Sequence, residues 1–324
     1  MKKKVLVVGL GQIGMGYDLY LQDTDHLLTH VKSIFRHDFF ELCCGVDEDS
    51  ALRKVFEKEY NCPSSEKLEE SLTEFKPSLI VIATPSNTHY KILNRILDSH
   101  IPEAILCEKP LAYDFAEANE MVRKCEKKGV ALFVNYIRRS DPAAIEIKRM
   151  IEDGTLQKPM KASVWYSKGM FNNASHLSNI LEFWFGECIE SKLISEGRKL
   201  GKYDYEPDFY MQFDGGSATF QSVWEENYSH YSIQILCTSG MLNYQYAGEE
   251  VTWHPIKQDE VFSGYSILDR RGKTIDNELY QYQFNVLEQL KLFFEGHPYE
   301  LCDGYSALKT LDSLISIKKQ IRRI

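Results

Sequence analysis

The sequence predicts an α/β fold in which an N-terminal doubly wound parallel sheet precedes a C-terminal α+β domain with an open, mostly antiparallel sheet. In the first half, short apolar runs alternate with segments of helical period, which is typical of a parallel sheet covered by helices on both faces. A glycine-rich turn follows the first apolar run directly. After about residue 140, alternating runs rich in aromatic and β-branched residues, punctuated by glycine turns, predict antiparallel strands.

Each element is predicted from its own pattern. The helix that begins after Asp114 is the clearest, because Glu117 completes a capping box and Gly129 provides the stop. In the first half the predicted strands are 5–8, 39–46, 78–83, 104–107 and 130–136, and the predicted helices are 50–60, 65–74, 88–100 and 114–128. In the second half the predicted strands are 161–166, 210–213, 218–224, 231–237, 240–246 and 250–254, and the predicted helices are 280–294 and 305–321.

Length and composition limit the possible functions. A chain of 324 residues predicts two domains, which we place at 1–139 for nucleotide binding and 140–324 for substrate binding and oligomerisation. A net charge of −9 argues against nucleic-acid binding, and no apolar run reaches the ~20 residues of a membrane helix. The 8 cysteines are scattered without a Cys-x-x-Cys pair, so we expect reduced thiols and a cytoplasmic protein.

The glycine-rich turn is a candidate dinucleotide site. Gly9, Gly11 and Gly14, with Gln12 and Ile13 between them, follow the first strand directly. Glycines at this spacing let the chain turn tightly and let backbone N–H groups approach a pyrophosphate. The alternative is a glycine-rich turn that binds no ligand, but the position at the first strand–helix connection favours the dinucleotide.

Asp47, after the second strand, is the candidate partner of the cofactor ribose. A carboxylate there accepts hydrogen bonds from ribose hydroxyls and repels a 2′-phosphate, and Arg53 is the first basic residue that follows, so NAD is favoured over NADP. An ordinary acidic loop is the alternative. Asp47 lies 33 residues after Gly14, whereas the usual spacing is ~20, and the surplus falls in segment 17–25.

Two histidines follow that inserted segment. His26 and His30 are spaced i, i+4, which can place two metal ligands on one helix face. The sequence offers no third ligand nearby, so a solvated or capping pair is favoured and we expect no metal site.

Two further segments carry a family resemblance. Ala83-Thr84-Pro85-Ser86-Asn87-Thr88-His89 ends the third strand, and Glu108-Lys109-Pro110 ends the fourth, about a hundred residues after the glycine turn. Together with segments 134–142 and 304–311, they resemble the family of glucose–fructose oxidoreductase, inositol dehydrogenase and the rhizopine-catabolism dehydrogenases (Gfo/Idh/MocA). The resemblance covers nearly the whole chain. It implies a Rossmann domain and an NAD(P)-dependent oxidoreductase acting on a sugar, polyol or sugar derivative.

The resemblance also implies roles for individual residues. Lys109 stands where the family places a lysine beside the nicotinamide and the reacting carbon. His176 stands where the family has the histidine of an Asp-x-x-x-His motif, which makes it the candidate general base. Asn172 replaces the aspartate of that motif, so we expect a weaker base and more reliance on Lys109. The implied cofactor contacts are Gly9, Gly11, Gln12, Ile13, Gly14, Asp47, Thr84, Pro85, Ser86, His89, Glu108 and Lys109.

The substrate side is expected to favour an anion. Asn172, and Asn179 at a second position where the family often has aspartate, remove negative charge where Lys109, Arg138 and Lys168 can converge. The alternative is that Arg138 and Arg139 only brace the domain junction. Aromatic side chains can stack on a sugar, although core packing is equally typical of them. The expected substrate-binding residues are Lys109, Tyr136, Arg138, Tyr166, Lys168, Asn172 and His176.

Three functions remain open at this point. The first is NAD-dependent hydride transfer to or from a carbohydrate alcohol. The second uses tightly bound NAD for glycoside cleavage or for transhydrogenation between two sugars. The third is a non-catalytic NAD-binding regulatory protein, which the Asn172 and Asn179 replacements allow and the intact Lys109 motif opposes. The resemblance also implies a homo-oligomer, a dimer or a tetramer.

Overall fold

The structure is a computed structural model that describes residues 2–21, 26–202 and 204–321 and divides into two compact units. The first unit comprises the described residues up to Ser140 together with Tyr280–Leu308. The second comprises Asp141–Leu279 and the described residues from Lys309 onward. The break after Ser140 is one residue from the boundary we predicted. Residues 280–308 differ from the prediction, because they return to the first unit.

The first unit is built on a parallel sheet. In its described residues, the strand order is β3-β2-β1-β4-β5-β6, and every neighbouring pair is parallel. Its elements are β1 (Lys3–Val8), α1 (His30–Arg36), β2 (Phe40–Val46), α2 (Ser50–Tyr60), β3 (Ser64–Ser65), α3 (Leu68–Phe75), β4 (Leu79–Ile82), α4 (His89–Ser99), β5 (Ala104–Cys107), α5 (Phe115–Lys127), β6 (Ala131–Val134) and, later in the chain, α8 (Tyr282–Glu295).

Buried strands explain this topology. Strands β4 and β5 have four residues each, and all of them are buried, as expected where helices cover both faces of a sheet. Helix α8 joins the same core, because Val286, Leu287 and Leu290 are 0–2% exposed and pack with residues of β1 and β4. The Tyr280 carbonyl also accepts a hydrogen bond from the Leu27 N–H at 3.0 Å. The apolar face of α8 therefore accounts for the return of this segment to the first unit.

The second unit is built on a mixed, mostly antiparallel sheet. In its described residues, the strand order is β14-β13-β12-β11-β7-β10-β9-β8, with β15 paired to β13 and only β7 and β10 parallel. Its elements are α6 (Pro142–Glu152), β7 (Met160–Tyr166), α7 (Ser175–Phe185), β8 (Cys188–Leu200), β9 (Asp204–Phe213), β10 (Gly216–Ser222), β11 (Tyr231–Cys237), β12 (Gly240–Gln245), β13 (Glu250–Gln258), β14 (Ser266–Leu268) and β15 (Lys273–Thr274). Helix α9 (Gly304–Gln320) crosses the division at Leu308.

Aromatic side chains fill the core of the second unit. The rings of Phe209 and Phe220 stack with centroids 4.4 Å apart, and Phe185 meets Phe213 edge-on at 5.8 Å. Burying such rings contributes about 1.5–3 kcal/mol each. The predicted fold class is therefore confirmed in both halves.

Two further observations concern the whole chain. Among the described residues, none of the helices combines the length and apolar character needed to span a membrane. All 8 cysteines are free thiols, and burial raises the pKa of Cys43 to about 12. Thiols that stay protonated to this extent are poor nucleophiles and poor metal ligands.

Candidate functional site

The glycine turn is shaped by the packing of its first and last glycines. Gly9 has φ +99°, and a Cβ there would lie 2.7 Å from the Ala83 carbonyl carbon. A Cβ on Gly14 would lie 2.1 Å from the Gly9 carbonyl oxygen. These two positions therefore need glycine for the turn itself to form. At Gly11, by contrast, a Cβ would meet no heavy atom within 4 Å.

Gly11, beside which there is open space, is the N-terminal cap of a short helical turn at Gln12–Gly16. The bonds of this turn begin with the Met15 and Gly16 N–H groups, which donate to the Gly11 carbonyl at 2.9 and 3.0 Å. The N–H groups of Gln12, Ile13 and Gly14 precede these bonds and have no partner inside the helix. A pyrophosphate fits such a cradle, because it needs N–H donors and close approach to a backbone without side chains.

Asp47 lies beside this turn, as its proposed ribose role requires. Its Oδ2 accepts a hydrogen bond from the Leu10 N–H at 2.7 Å, and its Oδ1 accepts one from the Asp49 N–H at 2.8 Å. Each carboxylate oxygen keeps further acceptor capacity. The structure adds a cation here, since Arg53 Nη1 donates to the carbonyls of Asp47 and Glu48 at 2.8 and 3.0 Å. Helix α2 brings the Arg53 side chain back to the end of β2, which the spacing in sequence did not reveal.

The segment after β4 has one residue that the structure places differently from the prediction. Thr84 and Ser86 are half-buried and Pro85 is exposed, and the Thr88 hydroxyl donates to Thr84 Oγ1 at 2.8 Å. His89, predicted as a cofactor contact, is 0% exposed. Its two ring nitrogens lie 2.9 Å from the Thr84 carbonyl and 3.2 Å from the Leu111 carbonyl, and burial lowers its pKa. His89 therefore supports this turn from inside the protein and does not face a ligand.

Glu108 and Lys109 follow β5 at the same edge of the sheet. The Glu108 N–H donates to the Ile82 carbonyl at 2.9 Å, and the Asn135 N–H donates to the Cys107 carbonyl at 2.8 Å. These bonds align the carboxyl ends of β4, β5 and β6, where ligands bind in open α/β sheets. The Lys109 side chain is half-buried at this edge.

Glu108 is held by groups that the sequence did not reveal. Its Oε1 accepts hydrogen bonds from His30 Nε2 at 2.8 Å and from Asn135 Nδ2 at 2.6 Å. Asn135 Nδ2 also donates to Gln283 Oε1 at 3.1 Å. His30, expected as one of a solvated or capping pair, is 2% exposed and is hydrogen-bonded to Glu108. The only signal for this cluster was the i, i+4 spacing of His26 and His30.

Tyr136, Arg138 and Arg139 lie just after β6. They are 5%, 6% and 8% exposed, and both arginines belong to a short 3₁₀ turn, Ile137–Ser140. Long cationic side chains this deeply buried need anionic or polar partners. Their burial is compatible with bracing and with anion binding, so the role of Arg138 stays a prediction.

In the second unit, the predicted polar residues cluster around the turn that leads into α7. Lys168 has φ +64°, and the turn Gly169–Ala174 follows it. The Asp204 carboxylate accepts hydrogen bonds from the N–H groups of Phe171 and Asn172 at 2.9 and 3.0 Å. His176, in the first turn of α7, is 8% exposed. Sequence reasoning missed Asp204, which comes from β9 and fixes the backbone just before His176.

Two residues of this unit have structural roles. Tyr166, predicted as a substrate contact, is 0% exposed, and its hydroxyl donates to the Pro207 carbonyl. Burial raises its pKa well above the ordinary value, as expected for a core phenol. Asn179 is 1% exposed, and its Nδ2 donates to Thr310 Oγ1 at 2.9 Å. Because Asn179 belongs to this interior network, the argument for reduced negative charge rests on Asn172 alone.

Among the described residues, no group of three or more His, Cys, Asp and Glu side chains is arranged to hold a metal ion.

Comparison with known proteins identifies the first unit. Residues 3–136 match the GFO_IDH_MocA family, described as an oxidoreductase family with an NAD-binding Rossmann fold. A myo-inositol 2-dehydrogenase of Thermotoga maritima is 26% identical over 156 residues, which are 48% of this chain and 42% of that protein. The matched part thus spans less than half the length of this curated relative.

Solved structures resemble the chain along its whole length. An aldose–aldose oxidoreductase from Caulobacter crescentus, complexed with glycerol, aligns with TM-score 0.78 and 16% identity, over 99% of this chain and 98% of that one. The WlbA dehydrogenase from Bordetella pertussis, in complex with NADH and UDP-GlcNAcA, aligns with TM-score 0.75 and 18% identity, over 99% and 97%. At these identities the likeness shows the fold. It is the N-terminal part of the chain, residues 3–136, that matches the Gfo/Idh/MocA family of oxidoreductases.

Proposed function

We propose that this chain is an NAD-dependent dehydrogenase that interconverts a secondary alcohol and a ketone on a sugar, polyol or sugar derivative. The observation that carries the proposal is the set of groups at one edge of the first unit's sheet. There the open cradle at Gly11, the Asp47 carboxylate and the Lys109 ammonium follow β1, β2 and β5. The polyol relative from Thermotoga maritima supports the substrate class.

The residues present fit NAD. The N–H groups of Gln12–Gly14 would hold the pyrophosphate, and Asp47 would accept from the ribose hydroxyls. The Asp47 charge disfavours a 2′-phosphate, so we propose NAD as the preferred cofactor. The nearby Arg53 cation would attract a 2′-phosphate and so reduces the preference for NAD over NADP. Thr84, Pro85 and Ser86 after β4 would line the middle of the cofactor, with Glu108 and Lys109 toward its nicotinamide end. When bound, NAD supplies the hydride acceptor for the alcohol carbon.

Two side chains carry the proton chemistry in this proposal. Lys109 stabilises negative charge that develops on the substrate oxygen, because an ammonium interacts more strongly with an alkoxide than with an alcohol. His176 accepts the hydroxyl proton as general base. With Asn172 at the motif position instead of a carboxylate, the imidazolium formed at His176 has less electrostatic support from that position. Lys109 therefore contributes a larger share of the stabilisation of the transition state.

The substrate is proposed to carry negative charge. In this proposal Lys109, Arg138 and Lys168 would each supply positive charge to the substrate, and Asn172 would contribute no negative charge. The Bordetella neighbour was solved with a nucleoside diphosphate sugar, which is an anionic ligand of this class. Tyr136 would give the sugar an aromatic face. Equal affinity for a neutral polyol and its carboxylated counterpart would count against this part of the proposal.

The first experiment is native mass spectrometry of freshly purified protein, followed by titration with NAD and with NADP. Tighter binding of NAD supports the cofactor assignment, and binding of neither overturns it. NAD that survives purification directs the substrate screen toward transfer between two sugars or redox-assisted glycoside cleavage. The same spectra give the subunit number, which we propose to be two or four.

A pair of lysine variants tests catalysis. Lys109→Ala should retain NAD binding and lower turnover by about 10²–10⁴-fold, the usual contribution of a positioned acid or base. Lys124→Ala is the matched control, because the Lys124 ammonium of α5 contacts Asn94 and Asp98 on the neighbouring helix. If no sugar or polyol gives turnover that depends on Lys109, the non-catalytic alternative is favoured.

A further inference from the structure

Glu108 carries a buried negative charge directly beside Lys109 in the chain. Its side chain is 12% exposed, and His30, which lies 2.8 Å away, is 2% exposed. Burial alone would raise the pKa of Glu108, but the hydrogen bonds from His30 and Asn135 and the charges of His30 and Lys109 lower it below its ordinary value. Glu108 is therefore an anion at neutral pH, and it attracts the Lys109 ammonium.

His30 is itself fixed by the inserted segment that follows the glycine turn. Asp18 is 1% exposed, and its Oδ2 accepts hydrogen bonds from the N–H groups of Leu28 and Thr29 at 2.7 and 3.0 Å. Its Oδ1 accepts a third hydrogen bond from Thr29 Oγ1 at 2.6 Å. Thr29 caps α1, whose first residue is His30. The backbone that carries His30 is thus tied to Asp18 on its N-terminal side.

We propose that Asp18, His30 and Glu108 form a positioning relay for Lys109. In this relay, Asp18 orders the start of α1, His30 holds the Glu108 carboxylate in position, and the Glu108 charge keeps Lys109 charged and in place. Asp18 belongs to segment 17–25, which lengthens the usual spacing in this part of the fold and whose residues 22–25 lie outside the described part of the chain. The inference rests on the proposed function only in giving Lys109 a catalytic role.

The charge of Glu108 favours the ammonium form of Lys109. A neighbouring anion favours the ammonium form of a lysine, so neutralising Glu108 favours the free amine. The other titratable groups that interact with Glu108 are His89, Cys107 and Tyr282. Burial lowers the pKa of His89 and raises the pKa values of Cys107 and Tyr282. These three stay neutral between pH 7 and pH 10, so their titration does not alter the charge around Glu108 in that window.

The test is competitive acetylation of the intact protein with trace acetic anhydride from pH 7 to pH 11, with Lys109 labelling quantified by peptide mass spectrometry. Glu108→Gln removes the anion and should move the labelling midpoint of Lys109 downward by about one pH unit, since an opposite charge nearby typically accounts for 1–3 units. His30→Leu leaves Glu108 ionised in this pH range but releases its carboxylate, and should move the midpoint in the same direction by about 0.5 unit. His30→Gln retains an N–H donor to Glu108 and should stay within about 0.3 unit of the wild type. Asp18→Asn should move the midpoint in the same direction as His30→Leu.

A second buried histidine, at the C-terminal cap of α1, supplies the matched control. His37 is 2% exposed and lies 2.9 Å from Glu288, and the carboxylate it meets is not Glu108. His37→Leu should leave the Lys109 midpoint unchanged. An equal shift in His37→Leu, or no shift in His30→Leu, would overturn the relay. If His30→Leu does not fold, Glu108→Gln still removes the charge itself with little change of shape, and an unchanged midpoint there overturns the relay.

This readout needs neither cofactor nor substrate. If Lys109→Ala leaves turnover unchanged while His30→Leu shifts the midpoint, the proposed function fails and the relay stands. If Lys109→Ala abolishes turnover but His30→Leu leaves the labelling midpoint of Lys109 unchanged, the relay is wrong and the proposed function stands. In an active enzyme, His30→Leu should lower kcat about tenfold with an unchanged Kd for NAD, and His30→Gln should restore most of it.

Discussion

Asp204 Oδ2 accepts a hydrogen bond from the Asn172 N–H at 3.0 Å, and this bond ties β9 to the turn that precedes His176. The other oxygen of the same carboxylate accepts from the Phe171 and Tyr205 N–H groups at 2.9 and 2.8 Å. Gly169 makes room for the carboxylate, since a Cβ there would lie 2.1 Å from Asp204 Oδ2. One acidic side chain thus determines the backbone path of the turn.

Removing that carboxylate should reduce stability and slow the reaction together. Asp204→Ala leaves three N–H groups without their acceptor, and we expect a loss of about 2–3 kcal/mol in the free energy of unfolding. Because the turn leads into His176, kcat should fall about tenfold while the Kd for NAD stays unchanged. Urea denaturation, steady-state kinetics and calorimetric titration with NAD measure the three quantities.

Asp208 on the same strand is the control for this variant. Its carboxylate accepts from the Ser222 N–H and hydroxyl at 2.9 and 3.3 Å. Asp208→Ala should also destabilise the protein but leave kcat near the wild-type value. Wild-type turnover in Asp204→Ala would show that this turn does not position His176.

The glycine turn predicts opposite behaviour for two alanine variants. Gly11 has φ −68° and ψ −157°, which alanine tolerates, and its Cβ would point into open space. Gly11→Ala should therefore keep the wild-type thermal midpoint and raise the Kd for NAD about tenfold or more, because the methyl group occupies the cradle. Gly14→Ala should lower the thermal midpoint, since its Cβ meets the Gly9 carbonyl. NAD binding by Gly11→Ala at wild-type affinity would place the cofactor elsewhere.

Strong local patterns explain which elements could be predicted. The strand 104–107 and the helix 50–60 were predicted with their observed bounds, because one is a continuous apolar run and the other begins at a capping acid. Strand β8 was not predicted. It lies at an edge of the sheet, carries many exposed polar residues and has three register shifts against β9, so it lacks the period of two that marks a half-buried strand.

The site was predictable only where the chemistry is local in sequence. The glycine turn, Asp47 and the Glu108–Lys109 pair follow strand ends, and the structure brings them to one edge of the sheet. Glu108 has one partner, His30, that lies 78 residues earlier in the chain and another, Asn135, that lies 27 residues later. No rule of sequence spacing connects these three residues. The burial of His89 and Tyr166 could not be predicted either, because burial depends on tertiary packing.

Cofactor preference should respond to Asp47 more than to its neighbour. Asp47→Asn keeps an oxygen for the Leu10 N–H but removes the charge that repels a 2′-phosphate. We expect weaker NAD binding and tighter NADP binding, so that the ratio of their Kd values changes by at least tenfold, about 1.4 kcal/mol. Asp49→Asn alters only the cap of α2, where Asp49 Oδ1 accepts from the Ala51 N–H at 2.7 Å, and should leave the ratio unchanged. An unaltered ratio in Asp47→Asn would remove Asp47 from the ribose site.

Burial of Asp141 should make the protein less stable as pH rises through the range in which this carboxyl titrates. Its carboxylate is 1% exposed, caps α6 through the Ala143 N–H at 3.0 Å, and accepts from the Glu278 N–H at 2.9 Å. Burial raises its pKa from an ordinary 3.8 to about 6. The folded state therefore binds the proton more tightly than the unfolded state does. The Asp141 contribution to stability consequently becomes less favourable as pH rises from about 4 to about 6.

Asp141→Asn removes this titration and should reveal its size. Relative to the variant, the wild type should lose about 2 kcal/mol of unfolding free energy between pH 4.5 and pH 7.5. Urea denaturation of both proteins at several pH values gives the difference, in which the titration of other groups cancels. Asp114→Asn, at the exposed cap of α5, is the matched loss of a capping carboxylate. If the two variants differ from the wild type with the same pH dependence, burial of Asp141 is not the cause, and the cap at α6 acts like an exposed one.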